Sequence, residues 1–171
     1  FSIKDKSKVH FFGNLARGYS LYSKGLAVRA NILFNSYLLN NISFNSKDYV
    51  VDCGANYGDL WLSLDGKIDP SRYITFEPGD LEHETIKMNA PKGIHNKLGL
   101  SNKNEVVRFY VNEQDADSSI VKPVNFSHVV DVETITLSEY LKIQKIEKIK
   151  LFKVEAEGFE PEILEGASEV L

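Results

Sequence analysis

Thiols are nearly absent from this chain: Cys53 is the one cysteine in 171 residues. A single thiol excludes an internal disulfide and a zinc site built from cysteines. The same scarcity fits a reducing compartment, and a cytoplasmic location is expected. Histidine is sparse too. His10, His83, His95 and His128 are scattered with no H-x-x-x-H or similar ligand spacing, so no metal is expected. Each reads first as a surface residue. No stretch nears the ~20 apolar residues a membrane helix needs, and no secretory signal is visible. Asn41-Ile42-Ser43 and Asn125-Phe126-Ser127 therefore read as chance matches to the glycosylation pattern. Excess positive charge is also missing: the net charge is -4. A mildly acidic domain is not built to hold a polyanion, which sets nucleic acid aside as the main partner. The densest basic run, Lys142, Lys145, Lys148 and Lys150, reads as a solvated loop or helix end.

What is present fits one globular α/β domain. Residues 1 to about 18 read as an irregular lead-in or short helix. Leu26, Ala30, Leu33, Phe34, Tyr37 and Leu38 recur at three and four, predicting one helical face that ends at Asn40-Asn41. Residues 1–45 are thus a helical lead-in to a domain over 46–171. Tyr49-Val50-Val51 is a buried strand, followed by a glycine turn and a helix from Leu60. Arg72 to Phe76 is a second strand, and Asp80 is placed to cap the next helix. Ile94 to Leu100 and Glu105 to Val111 are strands that could form a hairpin. A loop over 112–128 precedes a strand from Val129 to Thr136 and a short helix to Lys142. Ile149 to Val154 is a strong strand, and Pro161 sits in the first turn of a helix from Glu160. This alternation predicts a mainly parallel sheet with its ligand site at the strands' carboxyl ends.

Three motifs carry the chemistry. Asp52-x-Gly54-x-Asn56-x-Gly58 lies between a strand and a helix. Glycine lets the backbone turn sharply and lets a ligand come close. The Lys-Ser/Thr ending of a phosphate loop is missing, and so is G-x-G-x-x-G. A carboxylate here would repel pyrophosphate and suit a ligand bearing ammonium and sulfonium. Glu77 ends the next strand, 25 residues after Asp52. An acid there can accept both hydroxyls of a ribose, and Pro78 fixes the turn that aims it. Glu155 and Glu157, at alternate positions beyond the last strand, are expected on one side. One could act as a general base, and His128 in the long loop is another candidate. Ser118 and Ser119, after Asp115 and Asp117, could meet substrate. Cys53 faces away from Asp52 and is expected buried and inert.

Together, Asp52-Cys-Gly-Ala-Asn-Tyr-Gly58, Phe76-Glu-Pro78, Leu98-Gly-Leu-Ser101 and Lys153-Val-Glu-Ala-Glu-Gly-Phe-Glu160 followed by Leu164-Glu-Gly-Ala167 resemble the FkbM family of S-adenosylmethionine-dependent methyltransferases. The resemblance spans roughly residues 47 to 171. It implies a Rossmann-like class I methyltransferase fold, S-adenosylmethionine as donor, and O-methylation of a sugar, glycan or natural product. It also implies site roles. Asp52, Gly54, Ala55, Asn56 and Gly58 would line the methionine end, Glu77 and Pro78 the ribose, and Ser101 the adenine. Glu155 and Glu157 match the family's acidic pair, with Glu155 where Asp is usual. Such a sheet normally has more strands than the four core strands found here. The domain is thus expected to stop after the fourth core strand and its helix. That predicts a fragment of a longer protein, or a homo-oligomer that completes the sheet. Two rival readings remain: a non-catalytic half domain that binds cofactor or partner, and an NAD-type oxidoreductase.

Overall fold

The computed structural model describes residues 1–112 and 118–171. The N-terminal segment, expected as an irregular lead-in or a short helix, opens instead on a pair of strands. β1 (Ser2–Asp5) and β2 (Lys8–Phe11) form an antiparallel hairpin, followed by α1 (Leu15–Tyr22) and α2 (Leu26–Ser36). The buried position of β2 is His10, so the strand shows no apolar alternation to read. α2 ends four residues before Asn40, because Leu38 takes a left-handed conformation ahead of a 3-10 turn at Leu39–Asn41.

The alternating core follows. It comprises β3 (Val50–Cys53), α3 (Asp59–Leu64), β4 (Tyr73–Phe76), α4 (Asp80–Asn89), β5 (Ile94–Asn96) and β6 (Gly99–Leu100). After these come β7 (Val106–Val111), β8 (His128–Ile135), α5 (Leu137–Gln144), β9 (Leu151–Val154) and α6 (Glu160–Gly166). Four strands pair in parallel in the order β5-β4-β3-β9. The chain moves outward from β3 through β4 to β5, then returns to lay β9 on the other side of β3. That reversal opens a crevice at the carboxyl ends of β3 and β9. The mixed α/β architecture with this sheet is consistent with a Rossmann-like methyltransferase.

The side-chain period of two assigns the faces. Val51, Cys53, Ile74 and Phe76 pack with Leu137, Tyr140, Leu141 and Ile163 of α5 and α6. Val50 and Tyr73 pack on the other face with Leu60, Trp61 and Leu64 of α3. Cys53 is 4% exposed, and burial pushes its thiol up to about 12, so it is inert as expected.

Three boundary expectations change. The strand expected over 94–100 is split between two sheets. β6 leaves the parallel sheet to pair with β8, and β8 pairs antiparallel with β7. The hairpin partner of β7 is therefore β8. Gly99 permits this crossing, since a Cβ there would stand 3.2 Å from Thr134. Gly79, not Asp80, occupies the cap position of α4, and Asp80 in the first turn contacts Lys97.

The N-terminal segment is tied into this core through buried polar groups. Asp59 accepts from Tyr22 Oη at 2.5 Å and Arg29 Nε at 2.8 Å, and lies 3.0 Å from His10 Nε2. Burial raises the proton affinity of Asp59, but His10, Arg29 and Tyr22 outweigh it and hold the carboxyl below its ordinary value. Asn89 donates to the carbonyls of Phe11 and Tyr57 and accepts from the Phe11 amide. His10 and His83 are 2% and 8% exposed, which corrects the expectation that they lie at the surface. His95 is half-buried between Thr75 and the Ala90 carbonyl.

Replacing Asp59 by Ala should cost about 3 kcal/mol of unfolding free energy at neutral pH in a urea titration. Because the native carboxyl is depressed, its contribution is present above the ordinary carboxylate range and lost as the pH falls. The wild type should therefore converge on the variant in acid.

Candidate functional site

The glycine bend begins where β3 ends. Gly54 has φ +67, and a Cβ on it would stand 1.7 Å from the Glu155 carbonyl oxygen. No larger residue allows β3 and the chain after β9 to lie so close. Asn56 is also left-handed, at φ 50. The bend is tied to the end of β4, as the Gly54 amide donates to the Phe76 carbonyl at 3.0 Å. Glu77, one residue on, accepts from the Asn56 amide at 2.8 Å and the Gly79 amide at 3.0 Å. Its side chain is buried, which pushes the carboxyl up to about 7 against the pull of those two amides.

These residues border a cavity of about 880 Å³. Gly54, Asn56, Glu77, Pro78, Glu155, Glu157 and His128 all reach its wall. An apolar side is built from Leu98, Phe109, Val130 and Val132 on the crossing strands and their approach. Ser118 and Ser119 reach it too, with the Ser119 hydroxyl donating to the Glu157 carbonyl at 3.1 Å. Asp115 and Asp117 lie outside the described residues. A family model described as Methyltransferase FkbM domain matches residues 52–171. The chain belongs to this family. Searches of curated proteins and of solved structures each gave no match.

Four residues to which the FkbM resemblance assigned the cofactor stand off the cavity wall: Asp52, Ala55, Gly58 and Ser101. Asp52 is turned toward the α3 face and is 1% exposed. The cation it meets is Lys153, whose ammonium lies 3.0 Å from one carboxylate oxygen, while Tyr73 donates to the other at 2.5 Å. Burial raises the proton affinity of Asp52, and Lys153 and Tyr73 pull against it. Ala55 is buried behind the bend. Gly58 faces Ile86, 3.6 Å from where its Cβ would be. Ser101 is enclosed by the Ile135 carbonyl and by Gly166, whose Cβ would meet the Ser101 carbonyl at 2.0 Å.

The two acids also differ from the alternating pair expected of them. β9 stops at Val154, and Glu157 turns left-handed at φ 50, so no strand geometry relates them. Glu155 accepts from Tyr37 Oη at 2.5 Å, and the Lys153 ammonium is 3.3 Å away. Glu160 holds the loop from below, accepting from the amides of Ala156 and Gly158. His128 is the first residue of β8, opposite Val111, and not a loop residue.

Sequence reading missed Lys153, Tyr37 and Tyr73. Lys153 carried a signal: it is the charged residue inside the apolar strand, in register with Asp52. It also donates to the carbonyls of Cys53 and Gly54 at 3.1 and 2.7 Å. Tyr37 gave none, since it sits 118 residues from Glu155 in sequence.

Lys153→Met should lower unfolding free energy by about 3–5 kcal/mol at pH 8, because it strands a buried carboxylate. The deficit should narrow as the pH falls, since a protonated Asp52 needs no counter-ion. Urea titrations at several pH values measure both.

Proposed function

We propose that this FkbM-family domain binds S-adenosylmethionine in the cavity and methylates a hydroxyl on a sugar, glycan or natural product. The observation that carries this is the meeting of a bare backbone at Gly54 and a buried carboxylate at Glu77 on one wall. Gly54 and Asn56 would hold the amino-acid end. Glu77 would accept from ribose hydroxyls, and the apolar side near Leu98 and Phe109 would take the base. When bound, the cofactor supplies an electrophilic methyl group on a cationic sulfur. A cavity of about 880 Å³ is near the top of the range for small-molecule sites, which run to ~1,000 Å³. That leaves room for an acceptor beside the cofactor.

The chain's own part is placement and proton removal. Holding the acceptor oxygen near the methyl group accounts for most of the rate. Of the wall's carboxylates and histidine, Glu155, Glu157 and His128 are the candidates for taking the hydroxyl proton. We assign it first to Glu155, which the Tyr37 hydroxyl and the Lys153 ammonium orient. Glu155→Gln should then lower kcat about 100-fold while leaving the affinity for S-adenosylhomocysteine unchanged.

Calorimetry tests the cofactor. S-Adenosylhomocysteine should bind and NAD should not; tight binding of NAD alone overturns the proposal. The pH dependence follows from Glu77. Its carboxyl gives up a proton near pH 7, and ribose hydroxyls donate to the ionised form. Affinity should therefore rise about tenfold between pH 6 and pH 8.

A further inference from the structure

Arg17 reaches the cavity wall from outside the matched region 52–171. It lies one turn into α1, where the Asn14 side chain accepts from its backbone amide at 3.0 Å. Its guanidinium carbon is 5.6 Å from the centre of the Tyr57 ring, and Tyr57 belongs to the glycine bend. The position is built. Gly18 rests so closely on Phe12 that a Cβ would stand 2.1 Å from its ring. At the far end of α1, Tyr22 is bonded to Asp59.

The charges around Arg17 leave it a distinct role. Lys97 on the same wall is paired with Asp80. Among the described residues, no carboxylate lies within ion-pair distance of Arg17. A half-buried guanidinium presents a planar fork of donors that matches a carboxylate. We infer that Arg17 is the carboxylate-binding residue of this cavity. It holds the carboxylate at the amino-acid end of the cofactor, a role that rests on the cofactor reading above. Tyr57 favours that source over an acidic acceptor, because it stands on the bend where the amino-acid end is placed.

The test is calorimetry on the full chain with two ligands. S-Adenosylhomocysteine carries the amino-acid end, and 5′-methylthioadenosine lacks it. Arg17→Gln should weaken the first by at least about tenfold and leave the second unchanged. Arg17→Lys should lie between, since it keeps the charge and loses the fork. If Arg17→Gln binds S-adenosylhomocysteine as tightly as the wild type, the inference fails, even if an acidic acceptor then shows a raised KM. Equal weakening of both ligands also overturns it, as that marks general loss of the wall. Should Arg17→Gln fail to fold, the Arg17→Lys comparison decides by the same two ligands. If the wild type binds neither ligand, it is the cofactor reading that has failed, and the inference with it.

Discussion

The Lys153 ammonium is the point through which the two central strands and the glycine bend are joined. It sits in β9 opposite Asp52 of β3 and meets that carboxylate, the Cys53 and Gly54 carbonyls, and Glu155. Bringing a charge this deep costs several kcal/mol, and good geometry on all sides must offset it. The arrangement does so with one carboxylate buried and a second at the cavity. The acid on the wall and the buried acid of β3 thus share one cation.

The fold was largely legible because parallel strands buried on both faces read as short apolar runs. Val50-Val51 and Tyr73-Ile74 show this. Glu77 was legible as well, since a strand end and a proline fixed where it would point. Less legible was what each carboxylate would meet. The loop pattern puts Asp52 beside a cationic ligand, yet strand alternation turns it to the α3 side, where the Lys153 ammonium meets it. Alternate spacing puts Glu155 and Glu157 on one side of an extended strand, yet the strand ends before them. The hairpin β1–β2 was invisible because its inward residue is polar and its partners lie far along the chain.

Long-range partners supply much of what sequence could not show. Tyr37 and Arg17 both come from the segment ahead of the family-matched region, and both reach the cavity's acids or its bend. The FkbM core provides the bend, the buried acid at the end of β4 and the crossing strands. The preceding helices add an orienting hydroxyl and a guanidinium. Local pattern can place the first set; only tertiary contact places the second.

Asn89 gives this dependence a physical edge. Its one amide joins the hairpin backbone at Phe11 to the bend at Tyr57, and both of its polar atoms are used. The leading segment is therefore hydrogen-bonded, through one side chain, to the loop that borders the cavity. One side-chain amide thus stands at the joint between the first strand pair and the family-matched core, and losing it would leave the Phe11 and Tyr57 backbone groups without that shared partner.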